Sequence, residues 1–254
     1  MNKLSFVASM LMMCLPMTMM AQKNGAKAQV KPDPNFQIYL CFGQSNMEGN
    51  AAIEDIDRTG VNPRFMAMYA VDDEKAGWKK GQWHTAVPPQ ARPTTGLTPV
   101  DYFGRKMVDN LPDSIKVGTI TVAVGGASID LFDKRTCKAY LKKQPDWMKN
   151  FASQYNGNPY ARLIELAKIA QKQGVIKGIL LHQGETNNGD ANWPNRVKTV
   201  YNDILKELHL KAEDVPLLVG ETVQKDQGGS CWQHIAIVDD IAKTIPTAHV
   251  ISSK

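Results

Sequence analysis

The sequence predicts an α/β fold: a parallel sheet covered by helices on both faces. Two observations carry that expectation. Short apolar runs rich in β-branched residues alternate with longer segments whose apolar residues recur at helical spacing, and several of the runs stop at glycine. Strands that alternate with helices require right-handed crossovers, which lay successive strands parallel and put helices on the two faces. With 254 residues and 43% hydrophobic composition, the chain can build one large domain with a core of its own.

Taken in order, residues 1–21 hold a single lysine, Lys3, then a Leu- and Met-rich apolar stretch, then Thr18, Met19, Met20 and Ala21 ahead of Gln22. That is the layout of a secretory signal peptide with cleavage near Ala21, and it makes the mature protein secreted or periplasmic. Pro16 interrupts the stretch, and no other apolar run approaches the roughly 20 residues of a membrane span, so no stable membrane insertion is expected after cleavage. Residues 22–34 (QKNGAKAQVKPDP) are mostly polar with two prolines and read as a linker.

One domain is expected over 35–254. Its strands fall at 37–42, 117–124 (VGTITVAV), 175–182, 216–220 and 249–252, and its helices at 100–110, 160–173, 194–208 and 233–244. In 160–173, for example, Leu163, Ile164, Leu166, Ala167, Ile169 and Ala170 make an apolar stripe. Two stretches break the rhythm. Residues 51–98 contain Trp78, Trp83, Pro88, Pro89 and Pro93, and residues 127–158 contain Asp130, Asp133, Arg135 and Trp147. Long insertions after strands are where such folds build binding surface.

The formal net charge of +5 is mild and spread along the chain, without a basic block interleaved with aromatics, which excludes a nucleic-acid partner. Beyond residue 21 the cysteines are Cys41, Cys137 and Cys231, an odd number that allows at most one internal disulfide. Cys41 belongs to a strand and is expected in the core, and spacing gives no support to a Cys137–Cys231 bridge. There is no CxxC pair and no histidine cluster, so no metal site is expected.

Three strand exits carry unusual chemistry: Gly43-Gln44-Ser45-Asn46, Gly125-Gly126-Ala127-Ser128 and His182-Gln183-Gly184-Glu185. In a parallel sheet these exits share one edge, where ligands of open α/β sheets bind. Acyl transfer needs a hydroxyl on a tight turn, backbone N–H groups close to a developing oxyanion, and a side-chain donor beside them. Ser45, the Gly125–Gly126 pair and Gln183 supply that set. Each residue alone has a plainer role as turn, strand terminator or packed side chain; their joint occurrence at three exits is the signal.

"GQSNM", followed by "AVGGASI" and then "LLHQGETNNGD", resembles the acetylesterase branch of the SGNH hydrolase superfamily, which includes sialate O-acetylesterases and related acetylxylan esterases. The resemblance runs from about residue 36 to the last residue. It implies a three-layer α/β/α sandwich around a five-stranded parallel sheet, and hydrolysis of O-acetyl esters on sugars without metal or organic cofactor. It also implies Ser45 as nucleophile, Gly126 and the Gln183 amide as oxyanion donors, and Glu185 as a hydrogen-bonding support. Gln44, Asn46, Gly125, Trp78 and Trp83 are the candidate substrate-binding residues, with ordinary loop packing as the plainer role of the two tryptophans.

In that family the general base is a histidine of an Asp-x-x-His block after the fifth strand, followed by a closing helix. Lys254 falls where that loop would begin, so the domain is expected to be incomplete at its C-terminus. His84, His182, His209, His234 and His249 are the available histidines, and none is assigned as base. A second reading keeps the fold without catalysis: a glycan-binding module in which Trp78 and Trp83 hold the saccharide.

Overall fold

The computed structural model describes residues 31–254. The expected signal peptide and most of the linker lie outside the described residues. In chain order the elements are β1 (Phe36–Gly43), α1 (Ser45–Glu48), α2 (Asp55–Arg58), β2 (Phe65–Met68), β3 (Trp83–Thr85), α3 (Pro99–Asn110) and β4 (Lys116–Ala123). There follow α4 (Cys137–Lys142), α5 (Asp146–Ser153), α6 (Pro159–Ala170), β5 (Val175–His182), α7 (Trp193–Leu208), β6 (Leu217–Gly220), α8 (Ile235–Asp239), α9 (Ile241–Thr244) and β7 (Ala248–Ile251).

The strands form one sheet in the order β3-β2-β4-β1-β5-β6-β7. Every neighbouring pair is parallel except β2 with β3, which is antiparallel. The five expected strands are therefore present and parallel, but the five-stranded sheet is corrected to a mixed sheet of seven. The two additions come from the first insertion. Phe65–Met68 reads FMAM, four residues without a β-branched side chain, and Trp83–Thr85 has only three, so neither carries a strand signature.

β1 sits near the middle of the sheet and is buried along almost its whole length. Successive residues point to opposite faces. Ile38, Leu40 and Phe42 join the core built with α6 and α7, while Tyr39 and Cys41 join the core built with Val100 and Val108 of α3. Burial on both faces is why these strands read as continuous apolar runs rather than alternating ones. Burial also pushes the Cys41 thiol well above its ordinary value, as suits an inert core cysteine. Cys41, Cys137 and Cys231 are all free thiols.

Local signals start the main helices. Thr98 caps α3 and forms a reciprocal capping box with Asp101, with Pro99 in the first turn. Asn158 caps α6 through its side chain, accepting from the Ala161 N–H at 3.0 Å. The expected helix at 233–244 is corrected to a 3₁₀ turn (Trp232–His234) and two short helices, α8 and α9, broken at Asp240, whose ψ of 0° leaves the helical region. On the α3 face, a groove of about 750 Å³ opens between α3 and β5, β6 and β7, lined among others by Phe103, Met107, Leu180, Leu218 and Ile251.

Candidate active site

The parallel register sets Gly43 beside Ala123 on one side and beside His182 on the other. The three chemically unusual exits therefore stand next to one another at one edge of the sheet. Ser45 opens α1 immediately past the end of β1 and is half-buried. Among the described residues, neither its hydroxyl nor its backbone N–H makes a hydrogen bond, and the Gly126 N–H is likewise unengaged. A hydroxyl with two open N–H groups nearby is the raw material of acyl transfer.

The glycines are there because the turn has no room for side chains. A Cβ on Gly125 would lie 2.8 Å from Glu48 Oε2 and 3.9 Å from Ser45 Cβ, so the chain after β4 runs directly against the Ser45 turn. Gly126 has φ +69°, a left-handed conformation that turns the chain at this point, and a Cβ there would meet Trp147 Cη2 at 2.9 Å.

Behind this turn lies a polar network with Gln44 and Gln183 at its centre. The Gln44 side-chain oxygen accepts from Gln183 Nε2 at 3.0 Å and faces the N–H groups of Gly184 and Thr186 at 3.4 and 3.3 Å. Gln183 Nε2 also donates to Asn187 Oδ1 at 2.8 Å and approaches the Ala127 carbonyl at 3.3 Å, while Gln183 Oε1 accepts from the Trp193 indole N–H at 2.5 Å. Gln183 is fully buried and Gln44 nearly so.

Two expectations are thereby corrected. With two amide hydrogens facing three acceptors, Gln183 has no N–H left for an oxyanion; it ties the β5 exit to those of β1 and β4. Gln44 likewise braces the loop rather than facing a ligand. Asn187, which also accepts from the Ile129 N–H at 3.1 Å, and Trp193 are the network members missed in the sequence. Asn187 lies inside the quoted "HQGETNN" run, which was a usable signal.

Asn46 donates from Nδ2 to Glu185 Oε1 at 2.7 Å, which ties Glu185 to the Ser45 turn. Asn46 also lines a cleft of about 280 Å³ with Asn50, Leu97, Thr98 and Tyr102 among others. The same Glu185 oxygen is 3.9 Å from His182 Nδ1. Burial holds the His182 imidazole below its ordinary value, opposed by the Glu185 charge, and the ring faces the α3-side groove with Met47 and Glu221.

A buried ion pair supports the turn from below. Glu48, the last residue of α1, is paired with Arg92, both buried. The Arg92 guanidinium lies 4.2 Å from the Phe151 ring centroid, and Phe151 meets Trp147 edge-on at 5.8 Å between centroids. Arg92 and Phe151 carry no sequence signal of this role.

Trp78 and Trp83 are not sugar platforms. Trp78 packs between Tyr69 and His84, with centroids 4.2 and 5.3 Å away, and Trp83 packs on Phe36 at 4.8 Å and against Gly118, toward the opposite end of the sheet. Trp147, beside Gly126, is one of two exposed tryptophans among the described residues, the other being Trp232. The glycan-binding reading loses its named residues with this correction. None of the five histidines hydrogen-bonds Ser45. Among the described residues no three His, Cys, Asp or Glu side chains are grouped to hold a metal ion, and no helix is long and apolar enough to cross a membrane.

The fold is shared with solved structures. A protein from Arabidopsis thaliana superposes with a TM-score of 0.62 at 18% identity over 87% of each chain. NanS gives 0.60 at 16% identity over 89% of this chain and 79% of its own. A carbohydrate acetylesterase from Xanthomonas citri gives 0.57 at 19% identity over 85% of this chain, which spans 49% of that longer protein. Residues 35–254 match the model of the family described as carbohydrate esterase, sialic acid-specific acetylesterase, and that match takes in all three strand exits and every residue of the network around Ser45. By that match the chain belongs to the sialic acid-specific acetylesterase family of carbohydrate esterases.

Proposed function

We propose that this chain is a secreted carbohydrate acetylesterase that removes O-acetyl groups from sugars through a serine acyl-enzyme. The observation that carries the reading is the placement of Ser45 beside Gly125, with the Ser45 and Gly126 N–H groups free of other hydrogen bonds. Secretion rests on the layout of residues 1–21. Ser45 Oγ attacks the acetyl carbonyl, its proton passes to a base and then to the departing sugar oxygen, and the N–H groups of Ser45 and Gly126 hold the negative oxygen of the tetrahedral intermediate. Water then attacks the acetyl-serine ester and releases acetate. Asn46 and Glu185 hold the turn in place, and Gln44 and Gln183 brace the loop beneath it.

The test is acetate release from an O-acetylated saccharide by the full chain. Ser45→Ala is expected to lower the rate by at least about a thousandfold while leaving the unfolding midpoint unchanged. Full activity in that variant would overturn the mechanism.

A further inference from the structure

Trp147 is 48% exposed, yet it is held in place from two sides. It enters α5 two residues after Pro145, and Phe151 follows one helical turn later on the same face. The two rings meet edge-on at 5.8 Å, a favourable aromatic geometry. From the other side the indole lies on the Gly126 turn, where a Cβ would reach it at 2.9 Å. Gly126 adjoins Gly125, which in turn packs against Ser45.

The same ring is joined to the nucleophile through the interior. Phe151 lies under the Arg92 guanidinium at 4.2 Å, Arg92 pairs with Glu48, and Glu48 ends the short helix that Ser45 begins. Indole, guanidinium, carboxylate and nucleophile helix are one packed unit. An exposed aromatic face fixed in this way is pre-organised and loses little freedom when something stacks on it. Thr186, also exposed, bonds its hydroxyl to the Gly126 carbonyl at 3.0 Å and adds a polar edge near the indole.

We infer that Trp147 is the platform for the sugar ring that bears the reacting acetyl group, the apolar C–H face of a pyranose stacking on the indole while the ester carbonyl reaches Ser45 and Gly126. The inference rests on the acetylesterase reading and assigns its sugar subsite. Trp147 therefore separates sugar esters from simple alkyl esters, which offer no ring to stack.

The experiment compares acetylated methyl xylopyranoside with ethyl acetate as substrates of the full chain. Trp147→Ala is expected to lower kcat/KM for the sugar ester about tenfold more than for ethyl acetate, chiefly through KM; Trp147→Phe should keep most of the sugar rate. A calorimetric titration of the same sugar ester into Ser45→Ala, with and without Trp147→Ala, reads binding without turnover, and about a tenfold weakening is expected. Equal losses on both substrates, or unchanged binding and KM for the sugar, overturn the platform. If neither ester is hydrolysed by the natural chain but Trp147→Ala still weakens sugar binding, the platform stands and the esterase reading falls.

Discussion

The indole N–H of Trp193 donates to the Gln183 side-chain oxygen at 2.5 Å, and this bond fixes which way the Gln183 amide points. With its oxygen committed to α7, its nitrogen faces Gln44, Asn187 and the Ala127 carbonyl. Gln183→Met keeps the length and apolar bulk while removing both donors and the acceptor. Expected is a stability loss of about 1–3 kcal/mol from the buried partners left unpaired, read by urea unfolding. Turnover of the folded protein should fall less than the roughly hundredfold or more that follows removal of an oxyanion donor. A larger fall at unchanged stability would return Gln183 to the oxyanion role.

Glu48 and Arg92 stand 44 residues apart in sequence and form a buried ion pair beneath the Ser45 turn. Taking away one partner strands a charge in the interior, so Arg92→Met and Glu48→Gln should each cost on the order of 3–5 kcal/mol. The double variant Glu48→Gln with Arg92→Met should cost clearly less than the two single losses added together, because neither charge is then left alone. Urea unfolding of the three variants gives the coupling. Strict additivity would mean that the two side chains do not depend on each other.

What could be read in advance follows from which interactions are local. The parallel strands were legible because burial on both faces demands long apolar runs, and Gly125-Gly126 and Ser45 marked the exits because tight turns need particular residues. β2 was hidden because it gains its place by pairing with β4 rather than through its own side chains. The helix expected near the end breaks at Asp240, where apolar periodicity alone gave no warning. Residue type also misled at the tryptophans. All five are equal in sequence, and only packing shows that Trp78 and Trp83 are engaged by their neighbours while Trp147 is open. The direction of the Gln183 amide depends on Trp193, and the role of Arg92 on a carboxylate far away in sequence.

His234 gives a pH-dependent prediction. The ring is fully buried, meets Trp193 edge-on at 4.9 Å, lies against Gly184, and has no hydrogen-bond partner for either nitrogen among the described residues. Burial lowers its pKa from the ordinary 6.5, opposed by the charges of Glu185 and Asp190. Below pH 6.5 the unfolded chain takes up a proton that the folded protein refuses until its own lower pKa is reached. Stability therefore falls as pH drops through that window and is fully present above it. His234→Phe keeps the ring against Trp193 and removes both unpartnered nitrogens, so it should match or exceed the natural chain at pH 7, by up to about 3 kcal/mol. Its stability should also decline less steeply between pH 7 and pH 5, with the remaining slope including the similarly depressed His182. Urea midpoints at four or five pH values in that range measure both effects, and parallel curves for the two proteins would show that His234 stays neutral or charged alike in the folded and unfolded chain.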